Sequence, residues 1–448
     1  VFVARQLGVN VSKYEKTLAL RLLDTLAPWQ SAPTWYIAFS GGLDSTVLLH
    51  LLNAHSTTPI KAVHIHHGLQ TAADAWPAHC QAVCDALGVP LQVIHVQVQP
   101  GASLERAARE ARYGAFQSLL AAGEVLLTAQ HRDDQAETLL FRLLRGAGVR
   151  GLAAMPVHRP LGQGSLVRPL LDISRAELLV YAKQHQLSWI EDPSNADAHY
   201  ARNYLRHQVM PALNARWPQA SASMARAAAH FSEAQELLDE LAEQDLARAR
   251  SESPWPWLPL PSLVMQPLVD LSDRRQRNLL RHWLRPLTQM PDSEHWTGWQ
   301  NLRDAGHEGR PVWRLAGGEL HRVGGRLWWL SGAWLRPVAG SLEWPDQQPA
   351  LMLPGNGQVL IDGARPAAVL QVRYRQGGEV MQLPNRGHRD LKRLLNEQGV
   401  PLFVRDRLPL LYAGERLIAV ANLPGLDGRA LGEWNFHWQA PTNDQGLS

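Results

Sequence analysis

Ser40-Gly41-Gly42-Leu43-Asp44-Ser45-Thr46 is the stretch of this 448-residue chain whose residue types and order point most directly to chemistry. It follows an apolar run at 36–39 and leads into a helical pattern at 46–52. Glycines at a strand end let backbone N–H groups approach an anion closely. A helix that starts there adds its free N-terminal donors and the positive end of its dipole. Ser40, Ser45 and Thr46 bring hydroxyls to the same place, so residues 40–45 read as a cradle for phosphate. Asp44 would be repelled by bare phosphate. Its presence implies either a Mg²⁺ ion shared with the phosphates or a plain helix cap. The lysine of the Walker A loop is missing, which excludes that class of nucleotide site.

A second group lies at Thr128-Ala129-Gln130-His131-Arg132-Asp133-Asp134-Gln135-Ala136-Glu137-Thr138. On a helix starting near Asp133, Asp134 and Glu137 are three apart and share a face. Two neighbouring carboxylates at the mouth of a sheet can hold a cationic ammonium, or they can simply answer the helix dipole. His131 is either a base, since a free imidazole titrates near neutrality, or a hydrogen-bonded structural residue. Arg109 and Arg112 lie three apart on a helical stretch. A guanidinium aimed at polyphosphate would stabilise charge developing on a leaving group, and Arg112 is the candidate; surface ion pairing is the alternative. Arg202 and Arg206, at i and i+4, suit phosphate clamping. Arg386, Arg389, Lys392 and Arg393 share one face if their stretch is helical, a surface suited to an RNA backbone.

The elements that must position these groups follow from periodicity. Short apolar runs at 36–40, 62–66, 91–98, 124–129 and 166–171 alternate with amphipathic stretches at 44–52, 75–87 and 104–120. This predicts βαβ units and a doubly wound parallel sheet covered on both faces. Ligands in such folds sit at the carboxyl ends of strands, which is where residues 40–45 and 128–137 fall. One long helix is predicted over 217–250, another over 273–287, and the pattern becomes β-like from 311 to 338. A stretch rich in glycine and proline at 338–357 then precedes a last domain. The division expected is 1–215, a catalytic α/β domain; 216–340, a helical middle domain; and 341–448, a small α+β domain.

The 44 basic and 41 acidic side chains exclude a polycation that coats nucleic acid indiscriminately, and 45 % hydrophobic content excludes wholesale disorder. Arginines number 39 and lysines five. Thirteen of the 17 tryptophans follow residue 216, and these are read mainly as core. Cys80 and Cys84 are read as small buried hydrophobes, since two cysteines make no disulfide framework. No run of apolar residues is long enough to span a bilayer, and the expected compartment is the cytoplasm.

The loop resembles the SGGxDS signature of the PP-loop ATP pyrophosphatase superfamily, whose members cleave ATP between the α- and β-phosphates. The match extends through residues 128–148, Arg168-Pro169-Leu170-Leu171, Trp189-Ile190-Glu191-Asp192-Pro193-Ser194-Asn195 and Arg202-Asn203-Tyr204-Leu205-Arg206. Together these resemble the bacterial tRNA(Ile)-lysidine synthetase family over essentially the whole chain. The resemblance implies an adenine nucleotide alpha hydrolase-like domain that uses ATP and Mg²⁺. The reaction it implies adenylates the C2 oxygen of the wobble cytidine in tRNA(Ile) with a CAU anticodon; the side-chain amine of L-lysine then displaces AMP. It maps ATP binding onto Ser40–Ser45, lysine recognition onto Asp134 and Glu137, and catalytic roles onto Asp44, Arg112 and His131. Arg202, Arg206 and the basic residues 386–393 are the expected tRNA contacts, and the family is expected as a dimer or monomer. Family members carry His-Gly at His67-Gly68, read as pocket wall beside the adenine. Where many relatives read His-His, this chain reads Gln130-His131. A tRNA thiolase of the same superfamily is the alternative, but Cys80 and Cys84 on a predicted helix are poorly placed to carry sulfur.

Overall fold

Val125, Leu126 and Leu127 are all buried, and the strand they form, β4 (Val125–Leu127), lies inside a six-stranded sheet. The spatial order is β3 (Leu91–His95), β2 (Ile60–His66), β1 (Trp35–Ala38), β4, β6 (Gly164–Val167) and β5 (His158–Leu161). Trp35 stands opposite Ile60 on one side and Val125 on the other. All neighbours are parallel except β5 and β6, an antiparallel hairpin at the edge. The sequence reading has no strand at 158–161. Pro160 lacks an N–H to donate, which an edge strand tolerates and a central one does not.

The structure is a computed structural model that describes residues 11–68, 71–98, 104–196, 199–289, 293–306, 309, 311–383, 387–429, 431–432 and 434–442. The chain divides into two units, 1–236 and 237–448. In the first, helices α1 (Val11–Leu26), α2 (Leu43–His55), α3 (Trp76–Leu87), α4 (Leu104–Leu119), α5 (Arg132–Leu144) and α6 (Arg175–Gln184) accompany the sheet. Alternation along the strands feeds two cores. Trp35, Ile37, Val125 and Leu127 pack with Leu22, Val47, Leu51 and Tyr181. Tyr36, Leu126 and Leu166 pack with Phe116 and Leu120 on the opposite face. Each such fully buried side chain is worth about 1.5–3 kcal/mol of transfer free energy. Strand order runs outward from β1 to β3 in one direction and from β4 to β6 in the other. The C-terminal ends of β1 and β4 therefore flank a crevice at the switch point.

Beyond the sheet, α7 (Ala201–Tyr204), a single π turn (Leu205–Val209) and α8 (Met210–Arg216) run on without a break, and α9 (Ala220–Ala249) follows. The first part of α9 packs Ala228 against Leu139 and Ala154.

The second unit begins inside α9. It contains α10 (Asp273–Leu284) and an antiparallel sheet ordered β7 (Ser262–Val264), β10 (Arg326–Ser331), β9 (Gly318–Val323), β8 (Val312–Leu315). All six residues of β10 are buried. Trp329 enters a core with Leu279, Trp299 and Trp313, and Trp328 enters another with Trp334, Trp344, Phe436 and Trp438. The abundance of tryptophan after residue 216 is therefore largely core. The rest of this unit combines short helices with small antiparallel sheets, β11 (Ser341–Trp344) beside β12 (Leu370–Arg373) among them.

One expectation is corrected here. Residues 386–393 do not present one helical face. Gly387–Asp390 is a strand, β14, paired antiparallel with β13 (Val380–Leu383). Helix α11 (Leu391–Glu397) starts only after Asp390, whose carboxylate accepts the Arg393 N–H at 3.0 Å. A left-handed Gly387 (φ +67°) opens that strand, and the Asp390 cap sets the helix start five residues beyond Arg386. Arg389 is thus on a strand, and Lys392 and Arg393 are in the first turn of the helix, all three exposed. Arg386 lies outside the described residues. Among the described residues, no helix is long and apolar enough to cross a membrane.

Candidate active site

The turn after β1 is closed by contacts that demand glycine. Gly41 has φ +81°, and a Cβ there would lie 2.9 Å from Ile190 Cδ1 and 3.0 Å from Cys80 Sγ. Its carbonyl accepts the Ile190 N–H at 2.8 Å. Gly42 precedes α2 with no side-chain cap, and the first intrahelical bond runs from Thr46 N–H to Gly42 O. The N–H groups of Leu43, Asp44 and Ser45 therefore have no partner within the helix. Ser45 Oγ donates to Gly42 O at 3.0 Å and lies 3.1 Å from Ser40 Oγ. The result is a nest of backbone donors and hydroxyls at a helix start.

Facing it, the turn after β4 leads into α5 through His131, which caps that helix. His131 Nδ1 accepts the Asp134 N–H at 3.4 Å, while Asp134 Oδ2 accepts the His131 N–H at 3.1 Å. With its Nδ1 lone pair on a backbone N–H, the neutral imidazole carries its proton on Nε2. That atom lies 3.4 Å from Asp134 Oδ2 and 3.7 Å from Asp44 Oδ2. One buried imidazole therefore stands between the carboxylates of both loops.

Asp134 and Glu137 come together on α5 and are bridged by two arginines from a distant part of the chain. Arg206 reaches Asp134 Oδ1 at 2.7 Å and Glu137 Oε1 at 2.8 Å; Arg202 reaches the same pair at 3.0 and 3.3 Å. Burial pushes the Asp134 carboxyl up, but His131, Arg202 and Arg206 together hold it below the ordinary range. Burial also opposes the Arg206 charge, yet Glu137, Asp134 and Asp44 keep that guanidinium firmly protonated. Asp44 goes the other way. Its burial outweighs the help of His131, Arg175 and Arg206, and its carboxyl is raised. Asp44 Oδ1 is buried without a hydrogen-bond partner. An orphaned hard oxygen beside a phosphate cradle suits a divalent cation such as Mg²⁺.

Ser40, Gly42, Asp44, Ser45, His131, Asp134, Glu137 and Arg206 line one cavity of about 770 Å³. Residues 14–213 match the PP-loop domain family, 263–328 the TilS substrate binding domain and 370–445 the TilS substrate C-terminal domain. The chain is 65 % identical over 434 residues to the tRNA(Ile)-lysidine synthase of Pseudomonas fluorescens, covering 96 % of this chain and 98 % of that one. The chain belongs to the tRNA(Ile)-lysidine synthase family. The synthase of Pseudomonas aeruginosa is 60 % identical over 438 residues (96 % and 99 % covered), and that of Coxiella burnetii 39 % over 442 (94 % and 96 %). Membership makes this chain an ATP-dependent, tRNA-modifying ligase.

For a lysidine synthase, the remaining sequence candidates fall into place unevenly. Arg112 lines the cavity. Arg109 is exposed and instead lies 4.8 Å from the ring centre of Tyr113. Burial favours the neutral Tyr113 phenol, but Arg109, Arg168, Arg112 and Arg159 together lower its pKa. His64 is buried, with Nδ1 2.9 Å from Phe39 O; His67 is on the cavity wall. Gln130 also lines the cavity and accepts the Thr128 hydroxyl at 2.6 Å. Cys80 and Cys84 are fully buried, and burial pushes their thiols up to about 12 and about 11, which removes them as sulfur carriers.

Sequence reasoning missed one wall of the cavity altogether. His207, Met210, Pro211, Asn214 and Ser221 line it. The signal was present only as the spacing 207, 210, 214, which places those side chains on one helical face. Nothing in their residue types announced a site.

Proposed function

We propose that this chain adenylates the C2 oxygen of the wobble cytidine in tRNA(Ile) bearing a CAU anticodon and then couples L-lysine there to form lysidine. The observation that carries this reading is the single cavity that joins a phosphate nest after β1 to a cation-binding pair of carboxylates on α5.

In the first step the C2 oxygen bonds to the α-phosphorus of ATP, the bond to the bridging oxygen breaks, and pyrophosphate leaves. The free N–H groups at the start of α2 and the hydroxyls of Ser40 and Ser45 bind the phosphates. Arg112 supplies positive charge from the cavity wall. Asp44, through its unpartnered Oδ1, would hold Mg²⁺, which when bound neutralises phosphate charge. In the second step the lysine side-chain ammonium gives one proton to solvent, the neutral amine bonds to C2, the C2–O bond breaks with AMP leaving, and the nitrogen gives a second proton to solvent. Asp134 and Glu137 bind the lysine ammonium in exchange for the guanidiniums of Arg202 and Arg206. Those arginines, once released, suit an RNA phosphate. His131, whose Nε2 lies between Asp44 and Asp134, positions the two carboxylates.

Residues 1–215 would be the catalytic part, and 216–340 and 341–448 the tRNA-contacting parts, in the cytoplasm. Arg389, Lys392 and Arg393, with Arg386, are proposed to meet the tRNA backbone. Incubation with ATP, radiolabelled lysine and tRNA tests the reading: label should enter tRNA only when ATP is present. Sulfur incorporation, or ATP turnover indifferent to lysine, would overturn it.

A further inference from the structure

The cavity of about 770 Å³ lies toward the upper end of the roughly 300–1,000 Å³ usual for one small-molecule site. Nucleotide-binding and cation-binding groups occupy the walls formed by the turns after β1 and β4 and by α5. Beyond Arg206 and His207 on the π turn, the wall formed by α8 and the start of α9 has a different chemistry. Met210, only 5 % exposed, and Pro211 give it apolar surface. Asn214 and Ser221 give it polar groups, and these are only loosely committed. Asn214 Nδ2 lies 3.4 Å from Ser221 Oγ, and that oxygen lies 3.5 Å from Asn214 Oδ1. Both distances are at the long limit for a hydrogen bond. A primary amide has two N–H donors and two acceptor lone pairs, so most of its capacity is unspent. An amide beside apolar surface at a cavity wall is the arrangement that reads a nucleobase taken out of its stack: stacking on the apolar part, hydrogen bonds to the base edge.

Resting on the proposed reaction, we infer that this wall receives the wobble cytosine and that Asn214 is the residue that recognises it. Cytosine presents an N4 amino donor and an N3 acceptor beside the reacting C2 oxygen. Asn214 Oδ1 accepts from N4–H while Nδ2–H donates to N3. The base is held by its edge, and the C2 oxygen stays free to meet the α-phosphate. Ser221, 9 % exposed, lies beside the amide at these long distances and leaves it free to turn toward that edge.

The test is steady-state lysidine formation by the full chain, with a tRNA(Ile) transcript and with the same transcript carrying 3-deazacytidine at the wobble position, which lacks the N3 acceptor. Asn214→Ala should lower kcat/KM for the cytidine transcript by about 10–100-fold, the usual worth of a paired contact to one base. The KM values for ATP and lysine should stay as in the unmodified chain. The unmodified chain should prefer cytidine over 3-deazacytidine, and Asn214→Ala should lose most of that preference. Asn214→Asp, equal in size but unable to donate to N3, should behave like Asn214→Ala and covers the case in which the alanine variant melts early. An unchanged kcat/KM in both variants, or an unchanged preference between the two transcripts, would overturn the assignment. Failure of the unmodified chain to form lysidine on either transcript would instead sink the reaction itself.

Discussion

Arg206 grips Glu137 with a two-point fork, Nε to Oε1 at 2.8 Å and Nη2 to Oε2 at 2.9 Å. The carboxylate is 3 % exposed and the guanidinium 29 %. The pair is 69 residues apart in sequence, and Arg206 extends the same guanidinium to Asp134. The proposed lysine site is therefore filled by the protein's own cations when lysine is absent.

Arg206→Ala should expose the cost of that arrangement. Of the two arginines, Asp134 and Glu137 would keep only the more exposed Arg202. Removing one side of a buried pair costs roughly 2–4 kcal/mol at such a partly exposed site. The lysine assignment adds a second expectation: millimolar L-lysine should raise the Tm of the variant more than that of the unmodified chain, because an ammonium can take the vacated place. A thermal-shift series with lysine reads both, and no lysine effect on either protein would count against the assignment.

Asp44 gives a pH-dependent expectation with a definite sign. Burial raises its carboxyl in the folded state, so the ionised group costs stability at neutral pH. That cost fades as pH falls through the raised folded value, because the native carboxyl protonates before the unfolded one. Asp44→Asn should therefore raise the Tm at neutral pH, with the gain shrinking in acid, while abolishing ATP-dependent turnover. Asp134 is lowered in the folded state; its contribution is present above its unfolded pKa and lost as pH falls through the folded one. Melting curves across pH separate the two, and a Tm for Asp44→Asn below that of the parent at neutral pH would contradict the reading.

Gly41→Ala tests the phosphate nest. The left-handed backbone costs roughly 1–2 kcal/mol with a Cβ, and that Cβ would press on Ile190 and Cys80. ATP affinity measured by calorimetry should fall, with a modest drop in Tm. Unaltered ATP binding would place the phosphates elsewhere.

The basic surface of the second unit predicts a salt signature. Replacing Arg389 and Lys392 by Glu should weaken tRNA binding and reduce the slope of log K against log salt by about 0.7–0.9 for each phosphate no longer neutralised. Arg393 already pairs with Glu397 at 3.0 Å, so its replacement should matter less. Filter binding over a salt series gives the slopes; parallel lines for parent and variant would remove this face from the tRNA interface.

The phosphate loop was legible because its chemistry is local. A strand end, two glycines and a helix start are consecutive, and the left-handed backbone at Gly41 is set within its own turn. The alternating strands and helices were legible for the same reason, since periodicity reports which face of an element is buried. The edge strand β5 was not, because Pro160 argues against a strand until its place at the sheet edge is known. The basic run at 386–393 misled because charge spacing says nothing of secondary structure, and Gly387 with the Asp390 cap divides it between a strand and a helix.

Residue types and spacing by themselves determined the doubly wound sheet, the loop at Ser40–Ser45 and the pairing of Asp134 with Glu137 on one helix face. Only the tertiary structure decided what those carboxylates touch. The approach of Arg202 and Arg206 spans 65 to 72 residues, and no spacing rule reaches that far. It decided equally that His131 caps α5 between two loops, and that Asn214 faces the same cavity as Asp44. The physical reason is common to all three. Local sequence sets dihedral angles and faces, whereas the partners of a charged or polar side chain are set by which elements the folded core brings side by side.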